Sequence, residues 1–169
     1  MSILSVENDK YGNEVYTLYE KLIYIMRATA ARDEYIYGAG ISVYYSYGEM
    51  MKVKKCYHQM DGKAYFHYVL NPEKSDMVCV DEFYEIGKMV AEIIAHFYGR
   101  YQVVMALHFD DDSNVHMHLI ANNIDIDTGA RMNLDRNKLN ELKQRINQIM
   151  LSYDISAIRQ KFLYENNGN

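Results

Sequence analysis

Three of the six histidines in this 169-residue chain fall within eleven residues, in the segment Leu107-His-Phe-Asp-Asp-Asp-Ser-Asn-Val-His-Met-His-Leu-Ile-Ala-Asn122. Residues two apart on a strand point to the same face, so His116 and His118 project together. The residues between His108 and His116 include Asp, Ser and Asn, which suit a reversal of the chain. That reversal would lay His108 alongside the pair. Three imidazoles converging with a coordination position left over make a catalytic rather than a closed structural metal site. Nitrogen ligands suit Mn²⁺, Zn²⁺ or Ni²⁺ better than Mg²⁺. Mn²⁺ is the expected working ion, with the other three as alternatives. The plainer reading, polar residues at a strand edge, fits a lone histidine better than three sharing a usable spacing. Asp110, Asp111 and Asp112 read most simply as a solvated turn, although Asp110 could also orient His108 or accept a proton. His58, His67 and His96 are isolated and read as ordinary.

The elements that must hold this segment are legible around it. From Val15 to about Met26, the residues Val15, Leu18, Leu22, Ile25 and Met26 recur at helical spacing. Gly38 to Gly40 breaks the chain, and Ile41 to Tyr45 has strand composition. Glu49 to Met60 reads as a helix and Lys63 to Leu70 as a strand ended by Asn71-Pro72. Asp81 to Phe97 is the clearest helix, with Phe83, Ile86, Val90, Ile93, Ile94 and Phe97 on its buried stripe and Gly99 closing it. Strands then follow over Gln102–His108 and His116–Ala121. A turn at Thr128-Gly129 leads to a last helix capped by Asn133 or Asp135. This pattern predicts an α+β domain, a mostly antiparallel sheet of about five strands with helices packed on one face. Residues 1–164 form the domain, and the polar residues 165–169 are expected to fray.

The chain is long enough for one core without disulfides. No apolar run approaches a membrane span, and the N-terminus lacks a signal peptide pattern. Cys56 and Cys79 match no metal-ligand spacing, so free thiols in a reducing cytoplasm are expected. Seventeen tyrosines accompany no tryptophan. Such rings can stack on unpaired bases, but most should be half-buried core residues.

His108-x-Asp110 followed by His116-Met117-His118 and Asn122 resembles the third motif of the plasmid relaxase, or mobilisation nuclease, family. Histidine-hydrophobic-histidine marks the wider group of rolling-circle and conjugation nucleases. The likeness runs from Tyr24-Ile25 through Gln102-Val103-Val104 to Asp127-Thr128-Gly129-Ala130-Arg131, nearly the whole chain. The resemblance implies metal-dependent nicking of single-stranded DNA at a transfer origin through a 5′-phosphotyrosine intermediate. It also implies partners among accessory mobilisation and coupling proteins. Family members carry the nucleophile in a Tyr-Ile segment near the N-terminus, which Tyr24-Ile25-Met26-Arg27 matches. Independently, at about 100° per residue, Tyr24 lies on the helix side away from the apolar stripe, whereas Tyr19 falls nearer the stripe and is expected in the core. Tyr16, Tyr19 and Tyr35 are the other candidates. A phenol of pKa ~10 is about one part in a thousand ionised at pH 7, so a metal, a cation or a proton acceptor must assist it.

Two features depart from the family. The usual asparagine-proline-x-lysine-threonine run is replaced by Met26 to Asp33. The formal net charge is -5, where phosphate binding ordinarily draws on basic surplus. Local clusters at Lys52, Lys54 and Lys55, and at Arg131, Arg136, Lys138, Lys143 and Arg145, are candidate phosphate contacts, and they predict salt-sensitive binding that prefers single strands. Two alternatives keep the histidines: a phosphodiesterase that uses water and is indifferent to Tyr24, and an accessory protein that binds DNA without cutting it.

Overall fold

The computed structural model describes residues 1–8, 13–109 and 115–158. In chain order the elements are strand β1 (Ile3–Glu7), helix α1 (Val15–Met26), strand β2 (Ile36–Ala39), helix α2 (Ser46–Cys56) and strand β3 (Tyr65–Asn71). Helix α3 (Val80–Ala95), strand β4 (Val103–His108), strand β5 (His116–Asn122) and helix α4 (Arg136–Ser152) complete them. The strands form one sheet in the order β1-β3-β5-β4-β2, with every neighbouring pair antiparallel. The fold is the expected α+β arrangement.

Helices cover both faces of the sheet rather than one. Leu18, Leu22 and Ile25 of α1 and Met50 and Met51 of α2 pack on Val104, Ala106 and Ile120. Helices α3 and α4 pack on the opposite face, against Met105, Leu107, Met117 and Leu119. The reason lies in β4, Val-Val-Met-Ala-Leu-His, where every residue is buried. A strand with no polar alternation has no face to give to water.

The helix expected at Glu49–Met60 runs instead from Ser46 to Cys56, and two other boundaries move for identifiable reasons. The strand expected at Ile41–Tyr45 is instead Ile36–Ala39, and Val43–Tyr45 is a 3-10 turn. Gly38 sits inside that strand because a Cβ there would strike the Ile41 carbonyl. Gly40, at φ 64°, makes the turn. The helix expected to reach Phe97 ends at Ala95, and Tyr98 at φ 56° reverses the chain in place of Gly99. β1 carries no period-2 alternation of apolar residues strong enough to announce it, yet it pairs with β3 from Ile3↔Asn71 to Glu7↔His67. Helix α4 begins as expected, with the Asp135 carboxylate accepting from Lys138 N at 2.9 Å. Residues 159–169, and with them the expected frayed tail, lie outside the described residues.

Candidate active site

The register of β4 against β5 builds the site. His108, the last residue of β4, stands opposite His116, the first of β5, and His118 lies opposite Ala106. All three histidines therefore share the α1/α2 face of the sheet. One nitrogen from each lies within 4.8 Å of the others. The His108 and His118 ring centroids are 4.2 Å apart, and His116 is 5.1 Å from His118. The expected convergence is present.

Each buried ring is oriented by a partner. The Nε2–H of His108 donates to the Ile25 carbonyl at 2.8 Å, satisfying one of the carbonyls that a helix end leaves open. A neutral His108 then carries its lone pair on Nδ1. His118 Nδ1 is hydrogen-bonded to His67 Nε2 at 2.8 Å. Among the described residues its Nε2 is buried without a hydrogen-bond partner. Burial, then the neighbouring His108, His67 and His116 and the Arg27 charge, push the His118 pKa down to about 2. The ring is neutral near pH 7, with a nitrogen aimed into the cluster. That is the state a cation requires of an imidazole ligand.

Helix α1 brings the tyrosine. The Tyr24 ring lies 5.7 Å from that of His108 and 5.6 Å from that of His118, and the residue is 40% exposed. The Arg27 guanidinium sits 4.2 Å over the same ring, and Lys21 Nζ lies 5.1 Å from its centroid. Arg27 also donates to the Tyr24 carbonyl at 2.9 Å. Tyr19 corrects the sequence reading: it is 53% exposed and packs edge-on against Tyr47, not in the core. The Tyr35 hydroxyl donates to Asp81 at 2.8 Å, and Tyr16 is 63% exposed. Asp110 lies outside the described residues.

Other residues change role. His67, isolated in the sequence, is buried on β3 and reaches His118 diagonally across the β3–β5 pair. Sequence gives no signal for this, because the register of β3 against β5 is set by a contact 51 residues long. Lys54 leaves its basic cluster entirely: it is fully buried, and its ammonium donates to the carbonyl of Ala64 and to the side-chain oxygens of Asn122 and Asn123. Asn122 of the motif thus supports the sheet end, donating in turn to Gln102 at 2.9 Å. Arg136, Lys138, Lys143 and Arg145 ride on α4, on the far face of the sheet. Among the described residues, the cations near the tyrosine are Lys21 and Arg27, with Arg32 stacked on Phe109 just beyond His108.

The antiparallel sheet thus presents three clustered histidines to a helix-borne tyrosine. The family model "Relaxase: MobA/VirD2-like, nuclease domain" matches residues 24–155, and the chain belongs to that family. It is 28% identical over 117 residues to Protein rlx of Staphylococcus aureus, a match covering 69% of this chain and 34% of that protein. The chain thus spans about a third of the length of that curated relative. Among solved structures it is similar to the MobM relaxase domain bound to a 22-nucleotide plasmid pMV158 oriT DNA with manganese, at TM-score 0.65 and 12% identity. That match covers 99% of this chain and 94% of the other. A 23-nucleotide complex of the same domain matches at TM-score 0.66 and 13% identity, over 99% and 93% of the two chains. At these identities the likeness establishes the shared fold.

Proposed function

We propose that this chain is the DNA-nicking domain of a mobilisation relaxase and that Tyr24 is its nucleophile. The observation that carries the reading is the position of Tyr24, whose ring lies under 6 Å from two rings of the histidine cluster while remaining open to solvent. The Tyr24 oxygen attacks the scissile phosphorus of a single strand at a transfer origin. A tyrosine O–P bond forms as the P–O3′ bond breaks; the phenolic proton passes to a base, and the departing O3′ takes up a proton to become the hydroxyl. The 5′ end stays on the protein and the other segment leaves with a free 3′-hydroxyl, and the reverse reaction rejoins them.

His108, His116 and His118 would hold a divalent cation, and the all-nitrogen set favours Mn²⁺ over Mg²⁺. The manganese held by the MobM domain supports this choice. When bound, such an ion supplies positive charge to the non-bridging phosphate oxygens. Arg27 and Lys21 place further positive charge where the phosphate must arrive. Asp110, two residues beyond His108 in the sequence, is our candidate for the proton acceptor; in that role Asp110→Asn slows adduct formation without lowering Mn²⁺ affinity, whereas a fall in Mn²⁺ affinity would mean that it orients His108 instead. The two cysteines are free and exposed, in keeping with action in the cytoplasm beside accessory and coupling proteins. Among the described residues no helix is long and apolar enough to cross a membrane.

Tyr24→Phe removes one oxygen and almost no volume, so the fold and Mn²⁺ binding should survive. Incubation with Mn²⁺ and single strands carrying a transfer origin should give a denaturant-resistant adduct with the wild type and none with the variant. Adduct at the normal rate in Tyr24→Phe would sink the assignment. Nicking by the wild type without any adduct would point to water as the nucleophile, and DNA binding without nicking to an accessory protein.

A further inference from the structure

Next to the Tyr24 helix lies a cavity of about 620 Å³ that the proposed chemistry does not use. Tyr19, Ile23 and Met26 of α1 form one wall, and Tyr44, Tyr45 and Tyr47 form the other. Tyr44 is 89% exposed and Tyr45 73%, so neither ring contributes to the core. Tyr19 and Tyr47 meet edge-to-face at 5.2 Å, which braces the two walls. Exposed aromatic surface gathered around a concavity marks a place that something covers.

What covers it follows from position and charge. Ile23 and Tyr24 are neighbours, about 100° apart around α1, so one helix presents the nucleophile on one side and the cavity on the next. The α1 residues lining the cavity, Tyr19 to Met26, span ~10 Å at ~1.5 Å per residue, about three nucleotides at the ~3.4 Å of a stacked strand. Cations gather around Tyr24, whereas Asp33 and Glu49 line the cavity with Lys52 at its side. Two carboxylates repel a phosphate but accept hydrogen bonds from the amino groups of bases. A chain of net charge -5 also needs a source of affinity other than phosphate neutralisation.

We propose that this cavity receives the unpaired bases beside the scissile phosphate. They stack on Tyr44 and Tyr45 and are selected for an exocyclic amino group by Asp33 and Glu49. The proposal rests on the reading of the chain as a nuclease for single strands. It makes cytosine and adenine favoured over thymine, whose O4 is an acceptor and meets the carboxylates unfavourably.

Fluorescence anisotropy of the full chain with Mn²⁺ tests it, using labelled twelve-nucleotide strands of cytosine, of thymine, and of abasic sites. All three carry the same phosphates. Wild type should bind the cytosine strand at least ~10-fold more tightly than the abasic strand, the scale of base-aromatic stacking. It should prefer cytosine to thymine by about 5-fold, since both are pyrimidines and differ in the amino group. Tyr44→Ala/Tyr45→Ala should lower the cytosine strand to the abasic level and leave abasic binding unchanged. Glu49→Ala should erase the cytosine preference while keeping the gap to the abasic strand. Equal wild-type binding of all three strands, or base-dependent binding unaltered in the double tyrosine variant, overturns the proposal. If Tyr24 still forms adduct in either case, the nuclease reading stands and the pocket alone falls. Wild type that binds no strand and forms no adduct overturns both.

Discussion

His118 condenses the chemistry of the site into one side chain. Its ring is buried and neutral, with one nitrogen tied to His67 and the other aimed at His108 and His116. Leaving a buried nitrogen without a partner costs roughly 1–3 kcal/mol, and a cation at the cluster removes that cost. If Nε2 binds the ion, Nδ1 must carry the proton and His67 must accept it. His116→Ala should abolish Mn²⁺ binding measured by calorimetry, because two imidazoles remain. His67→Phe should weaken it by roughly 10- to 100-fold, the usual effect of losing a group that orients a ligand. His67→Gln, which keeps an acceptor, should recover part of the loss. Wild-type affinity in His67→Phe would mean that His118 is held by packing alone.

At the scale of elements, the sheet end beside α2 carries an unusual load. Lys54 is fully buried among three oxygen acceptors, and burial, followed by the Arg131 charge, lowers its pKa from 10.5 to about 7. Between those values the unfolded chain holds a proton that the folded chain has released, so stability rises as pH rises from about 7 toward 10.5. Denaturant midpoints at pH 7 and pH 9 should show this rise, and Lys54→Met should flatten it. An unchanged slope in Lys54→Met would assign the rise to other groups. The same lysine shows where sequence reading stops. Helix α1 matches its expected bounds because its apolar stripe is local and repeats at helical spacing. The convergence of His108, His116 and His118 was legible because a short hairpin fixes it. Lys54 reads in the sequence as one of a cluster of candidate phosphate contacts, and only the packing of α2 on the sheet takes it inside. Tyr19 misled for a related reason: α1 meets the sheet along the narrow line of Leu18, Leu22 and Ile25, so a residue on the flank of that stripe meets α2 instead.

For the whole molecule, the placement of charge predicts how binding responds to salt. The α4 cations lie on the far face, and among the described residues Lys21, Arg27 and Arg32 are the ones beside the site. Three phosphate contacts at ~0.7 each give a log–log salt slope of about −2 on single strands, shallower than the two sequence clusters suggested. Titrations at several salt concentrations should return that value, with weaker binding to duplex. A slope of about −5 or steeper would require the α4 cations to touch DNA as well. The bond from His108 to the Ile25 carbonyl has a further consequence at this scale. It makes the end of α1 and the mouth of the sheet one thermodynamic unit, so occupancy of the histidine cluster is linked to the opening of that helix. Ligand binding to the folded chain raises its stability by RT ln(1 + [L]/Kd), and here the gain should appear first as slower hydrogen exchange at the amides of the last turn of α1. Mn²⁺ added to Tyr24→Phe should slow exchange there as much as in the wild type, while in His108→Ala that protection should be lost. The helix carrying Tyr24, the proposed nucleophile, would then firm up only once the site is loaded, and a chain stripped of its ion would hold that phenol on a fraying end.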